Sequence, residues 1–252
     1  MEPFYDTIIL SPHLDDAALS CGGQISQMTS SGQSVLVVTL MAGDPPATDM
    51  SCFAQMLHDR WELQTEAAAI RREEDHAACR ILRAECLHWA IPDCIYRHDP
   101  LSGESYYNSN QDIFGPVHQG EKALQDKLTE KLAKLPEHDR VLAPLTAGNH
   151  VDHQLTLLAA ENCYGKDLIY YEEYPYAAEP GVVEKVIAAG RESWQPQTIL
   201  ISKEAMEKKN EAIAAYASQM STFFLDRADL ERQVHNYAQL VGGERIWRPM
   251  AS

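Results

Sequence analysis

The sequence predicts a single-domain α/β protein: one mostly parallel sheet with helices on both faces and insertions over its active face. Three observations point there. Short apolar, β-branched runs alternate with stretches of helical periodicity along most of the 252 residues. The run Ser34-Val35-Leu36-Val37-Val38-Thr39-Leu40 carries no polar alternation, as expected of a strand covered on both faces. No repeat, low-complexity tract or linker divides the chain, and its length is ample for one sizeable core.

In order, Thr7 to Leu10 is the first strand, and Ala18 to about Ser31 a helix with Asp15 or Asp16 available to its exposed amides. Gly22-Gly23 costs that helix propensity, which close packing against the sheet would compensate. Gly32 ends it, and Ser34 to Leu40 is the second strand. Ala42-Gly43-Asp44-Pro45-Pro46 then breaks the pattern, and a loop or short-helix region extends to about Arg60. Glu62 to Arg83 is a helix, and Cys86 to Trp89 a short strand. From Asp93 to Gly120 the chain is Gly-, Ser-, Asn- and Tyr-rich, an excursion over the active face. Glu121 to Leu135 is a charged amphipathic helix stopped by Pro136. Arg140 to Leu145 is a strand, Val151 to about Cys163 a helix, and Asp167 to Tyr171 another strand. After a Glu-, Tyr- and Pro-rich loop, Val182 to Ser202 is mixed, antiparallel structure; Lys203 to Gln219 and Asp226 to Val241 are the closing helices. The two insertions cover about 42–60 and 93–120 of one domain spanning 1–252.

A formal charge of −16 argues against nucleic-acid partners and anionic membrane surfaces. Met1-Glu2-Pro3 lacks a basic leader, and no apolar run approaches the ~20 residues of a membrane span, so a cytoplasmic location is expected. The six cysteines include no Cys-x-x-Cys pair, which predicts reduced thiols acting as small hydrophobes rather than a zinc ribbon or redox dithiol. Association of identical chains is compatible with the sequence.

Chemistry concentrates in two stretches. Ser11-Pro12-His13-Leu14-Asp15-Asp16-Ala17 follows the first strand, and His150-Val151-Asp152-His153 follows a later one. Both are strand-to-helix junctions, so both should open onto the crevice where α/β sheets bind ligands. Imidazole and carboxylate donors suit zinc or iron, with a coordination position left for water. Together the halves supply His13, Asp16 and His153 as a mononuclear site, although composition alone does not say which of the adjacent carboxylates ligates. The other can take a proton from the attacking water. His150 can stabilise an oxyanion or protonate a leaving nitrogen, with Asp152 fixing its charge or orientation. No Gly-x-Gly-x-x-Gly follows the first strand, which disfavours a nucleotide-binding domain.

Pro12-His13-Leu14-Asp15-Asp16 with His150-Val151-Asp152-His153 resembles the PIG-L/LmbE-like zinc N-deacetylases, which remove acyl groups from N-acylated glucosamine units. Ile70-Arg71-Arg72-Glu73-Glu74 looks like that family's Arg-x-x-Glu helix, and Lys208 or Lys209, Ala212 and Ser218-Gln219 look like its Lys…Ala…Ser-Gln segment. The resemblance implies a Rossmann-like fold, metal ligands His13, Asp16 and His153, Asp15 as general base, and His150 as acid or electrostatic partner. It places Arg71 near the pocket, with an ion pair to Glu74 as the structural alternative. The sequence departs from the commoner Ala-His-Pro-Asp-Asp-Glu form: proline precedes the histidine, and Ala17 stands where Glu is usual. This Ser-Pro-His-Leu-Asp-Asp-Ala variant, with Tyr174-Pro175-Tyr176, is similar to the branch containing teicoplanin-type sugar deacetylases.

The expected activity is therefore Zn2+-dependent (or Fe2+-dependent) removal of acetate from an N-acetylglucosamine-containing small molecule or glycoconjugate. The rivals are an amidase for a larger acyl group or thiol conjugate, and a non-catalytic sugar-binding protein. Trp61 and Tyr174 are candidate sugar-stacking residues beside Arg71, with Tyr96, Tyr106, Tyr107 and Tyr176 as further aromatics. Glu172-Glu173 would border the pocket.

Overall fold

A computed structural model describes residues 3–45, 50–60, 67–190 and 193–250. Trp61, singled out above, lies outside the described residues.

A seven-stranded sheet organises the chain. It begins with the outlying β1 (Phe4–Tyr5) and the fully buried β2 (Thr7–Ser11), followed by α1 (Asp16–Ser30) and β3 (Val35–Thr39). Next come α2 (Cys52–Arg60), α3 (Ala67–Leu82) and β4 (Glu85–His88). The second insertion contains the single turn α4 (Asn110–Ile113) and leads into α5 (Lys122–Leu132). Then follow β5 (Glu137–His138), β6 (Val141–Pro144), α6 (Val151–Tyr164) and β7 (Ile169–Tyr171). The chain closes with α7 (Val182–Ala189), β8 (Trp194–Ile199), α8 (Lys203–Ala214), α9 (Ala217–Phe223), α10 (Arg227–Val241) and β9 (Glu244–Pro249).

The strand order is β4-β3-β2-β6-β7-β9-β8, parallel from β4 through β7 and antiparallel where β9 pairs with β7 and β8. One apolar cluster, around Leu10, Val38, Ala143 and Leu155, fills one face; a second, around Ile9, Val37, Ile25 and Ala212, fills the other. The expected doubly wound architecture is thus present, with helices on both faces.

Two expectations are corrected. The closing segment is not purely helical, because β9 inserts between β7 and β8. Its sequence, Glu-Arg-Ile-Trp-Arg-Pro, hides the strand by burying a charge: Glu244 ion-pairs with buried Lys209 at 2.8 Å. The helix expected over Lys203 to Gln219 is two helices, interrupted at Ala215 and Tyr216. The Gly22-Gly23 pair packs against this same region, Gly22 on Lys209 of α8 and Gly23 on Glu244 of the sheet strand β9. A Cβ on Gly23 would lie 2.8 Å from Glu244 Oε1, and the Gly23 and Gln24 amides donate to the Glu244 carboxylate at 2.8 and 2.9 Å.

Candidate active site

Both half-motifs sit at the carboxyl ends of β2 and β6, neighbouring strands from which the chain winds outward in opposite directions. That is the topological switch point where open α/β sheets place their ligands. The turn into α1 is capped by Ser11, whose hydroxyl donates to the His13 carbonyl (2.7 Å) and accepts from the Ala17 amide (3.0 Å). Asp15 and Asp16 are therefore not the caps the sequence suggested. Asp16 Oδ2 instead accepts from the His13 amide at 2.8 Å and stands 3.4 Å from His13 Nδ1 and 3.3 Å from His153 Nε2. Asp15 adopts φ 147°, a conformation sparsely populated by non-glycine residues, and its carboxylate faces Arg71 at 3.5 Å. Adjacent carboxylates thus serve different partners.

The imidazoles of His13 and His153 lie 5.3 Å apart between ring centroids, and nitrogens of His13, His150 and His153 fall within 4.8 Å of one another. Each of the two outer rings has a carboxylate behind it: Asp152 Oδ2 lies 3.0 Å from His13 Nε2, and Glu173 Oε1 lies 3.1 Å from His153 Nδ1. A carboxylate on one ring nitrogen fixes the tautomer and turns the other lone pair inward, the arrangement that supports metal-ligating histidines. His153 Nε2 is buried without a hydrogen-bond partner, which a cation would supply. The residues therefore fit a divalent ion.

Asp152 is fully buried, ion-paired to Arg97 at 2.6 Å, and accepts from the Cys94 amide at 3.0 Å. Its carboxylate orients His13, not His150 as expected. His150 touches Asp152 only through its Nδ1, which accepts the Asp152 backbone N–H at 3.2 Å, so the neutral ring carries its proton on Nε2. Burial and the neighbouring His13 push His150 down to about 3. Burial pushes Asp15 up to about 7, with Arg71 opposing. Burial also acts to raise Asp16, yet His153 and His13 hold it well below the carboxylate range. His153 rises to about 9 despite its burial, drawn up by Asp16 and Glu173.

His13, Asp15, Asp16 and His150 line a cleft of roughly 300 Å³. Arg71 lines it, bound to Asp15 and to the Leu14 carbonyl at 3.1 Å. The alternative pairing of Arg71 with Glu74 is absent, because Glu74 holds the Ser218 amide and hydroxyl at 2.8 and 2.6 Å. The adjoining Gln219 lines the cleft. Both insertions contribute walls, among them Leu57, Ile113 and Phe114. Tyr174 does not reach the cleft: it is 3% exposed and packs against Tyr237, while the next two residues, Pro175 and Tyr176, supply the wall. Tyr176 lies over Gly148, where a Cβ would come within 2.4 Å of its ring. Tyr107 is buried and Tyr106 stacks on His118. Glu172 and Glu173 do not border the cleft either; Glu172 binds Arg245, Tyr237 and Trp247 in the interior. Sequence reasoning missed Asp93, which lines the cleft 3.6 Å from His13 Nε2, and the role of Glu173. No local spacing signals either.

The switch-point crevice and its carboxylate-backed imidazoles define an α/β protein with a candidate cation-binding cluster in its active-face cleft. The chain belongs to the PIG-L family, described as GlcNAc-PI de-N-acetylase, whose family model matches residues 8–164. It is 26% identical over 260 residues to the 2'-N-acetylparomamine deacetylase of Niallia circulans, spanning 95% of this chain and 89% of that relative. Among solved structures it is similar to the zinc-inhibited form of teicoplanin deacetylase Orf2 (26% identity, TM-score 0.82, 98% of each chain). It is also similar to the A40926 pseudoaglycone deacetylase Dbv21 (28% identity, TM-score 0.70, 98% of this chain and 99% of that one).

Proposed function

We propose that this chain is a zinc-type N-deacetylase that hydrolyses the acetamide of an N-acetylated amino sugar carried on a larger scaffold, releasing acetate and a free amine. The observation that carries the proposal is Asp16 Oδ2 standing between two imidazoles that are each oriented by a buried carboxylate. His13, Asp16 and His153 would hold the ion. Such an ion supplies Lewis acidity, polarising the amide carbonyl and acidifying the attacking water.

The remaining steps belong to the chain's own side chains. Asp15, raised to about 7 beside Arg71, accepts the proton of the water as its oxygen bonds to the carbonyl carbon. The Nε2–H of His150 donates to the oxyanion that develops. As the C–N bond breaks, the proton held by Asp15 passes to the leaving nitrogen, which departs as the amine. Phe114, Tyr176 and Phe223 offer apolar faces that exclude water and stack on the sugar.

The cleft is at the small end of ligand-site volumes, so it takes the sugar and leaves the scaffold outside. Relatives are named as deacetylases of 2'-N-acetylparomamine and of the A40926 pseudoaglycone, which supports a substrate of this kind. The described residues include no helix long and apolar enough to cross a membrane, and all six cysteines are free. Reduced thiols favour a cytoplasmic working place.

The test is acetate release from a panel of N-acetylated aminoglycosides, glycopeptides and N-acetylglucosamine, before and after chelator treatment. Acetate release that chelation abolishes and zinc restores is expected. Release of a longer acid only would favour the larger-acyl amidase, and binding without release a silent sugar-binding protein.

A further inference from the structure

At the open edge of the sheet, α3 and β4 bring together a second group of donors. His76 and Cys79 are three apart on the helix, and Cys86 and His88 share one face of the strand. Cys86 Sγ lies 2.9 Å from His76 Nδ1, and the His76 and His88 rings are 4.6 Å apart. Donor atoms of His76, Cys86 and His88 all lie within 4.8 Å of one another; so do those of Asp75, Cys79 and Cys86, a set that shares the Cys86 sulfur.

Behind this cluster the structure repeats the device found at the active site. Asp75 Oδ2 sits 2.7 Å from His88 Nε2, which leaves His88 Nδ1 for the cluster. Asp75 is itself held by the Tyr216 hydroxyl at 2.5 Å and Thr39 Oγ1 at 3.4 Å. Asp75 and Cys79 are buried, whereas His76, Cys86 and His88 are partly open to solvent, giving an ion a way in.

We propose that Cys79, Cys86, His76 and His88 form a second metal site, separate from the catalytic cluster, for a zinc-class cation that prefers thiolate. Two thiolates and two imidazoles are a zinc donor set; tetrahedral zinc places such donors about 3.3–3.8 Å apart, so His76, Cys86 and His88 need to close in by about an ångström, and Cys79 joins them through the Cys86 sulfur that both triplets share. The catalytic ligands His13, Asp16 and His153 include no sulfur. The helix-and-strand spacing of this set differs from that of a zinc ribbon, which is why counting Cys-x-x-Cys pairs in the sequence passes over it.

The experiment loads the full-length protein with zinc and, separately, with cobalt as a spectroscopic probe. Wild type is expected to bind two zinc ions per chain and to show sulfur-to-cobalt charge-transfer absorption. Cys86→Ser, which leaves Cys79 as the single thiolate, is expected to weaken that absorption and lose one zinc, and the double change Cys79→Ser/Cys86→Ser to abolish the absorption. Cys94→Ser, which removes the thiol near His150, and His153→Ala, which removes a catalytic ligand, are expected to keep it. His76→Gln, a milder change at a partly open residue, is expected to weaken zinc at this site roughly tenfold or more with deacetylation unchanged. Sulfur absorption that survives the double change Cys79→Ser/Cys86→Ser, a zinc count that Cys86→Ser leaves unchanged, or unaltered zinc affinity in His76→Gln would overturn the proposal. The sulfur-to-cobalt absorption and the zinc lost in Cys86→Ser are read without the deacetylase assignment.

Discussion

Replacing Glu173 by glutamine tests the site through a residue that touches no substrate. The Glu173 carboxylate accepts from two donors at once, His153 Nδ1–H and the Ala147 amide, each at 3.1 Å. Glutamine keeps the shape but has one acceptor oxygen, so one contact must become donor against donor. If the amide NH2 faces His153, the ring proton moves to Nε2, the atom that faces Asp16 and would hold the cation. That costs roughly 10–100-fold in metal affinity, or about 1.4–2.7 kcal/mol. If the NH2 faces Ala147 instead, a buried backbone N–H loses its partner at about 1–3 kcal/mol of stability. Chelator competition measures the first effect and denaturant unfolding the second. A Glu173→Gln protein that matched wild type in both zinc affinity and unfolding midpoint would refute the positioning role given to Glu173.

Three further outcomes are expected. Asp15→Asn retains zinc but lowers turnover by about 10²–10⁴-fold, because the amide cannot take the proton; undiminished acetate release would reject Asp15 as the base. Arg97→Met strands the buried carboxylates of Asp152 and Glu121 (2.6 and 2.8 Å from Arg97) and should cost about 3–5 kcal/mol in urea unfolding. A loss below about 1 kcal/mol would show that the ion pairs contribute little. In metal-free protein, burial acts to lower His88 but its hydrogen bond to Asp75 prevails and raises it from 6.5 to about 9. Being raised on folding, it contributes stability that is fully present below pH 6.5 and lost as pH climbs through about 9. His88→Gln should flatten that decline, and identical slopes for the two proteins between pH 6.5 and 9 would exclude the linkage.

By itself the sequence determined the architecture and picked out the polar groups that the fold brings together. Both draw on local rules: a short run such as Val35–Thr39, rich in β-branched residues, reads as a strand covered on two faces, and polar residues just past a strand's end open onto the crevice. That is why His13, Asp15, Asp16, His150 and His153 were legible as a group while more than a hundred residues apart. The tertiary structure alone decided which atoms those donors use. Asp152 turned out to orient His13, and Glu173, expected at the pocket's border, instead backs His153 from the interior. Tyr176 rather than Tyr174 walls the cleft because Gly148 leaves room for its ring. The polar strand β9 exists because Lys209, from another helix, neutralises Glu244. The physical reason is common to all four: periodicity records which face a residue occupies, but hydrogen bonds and ion pairs between distant segments are set only when the elements pack.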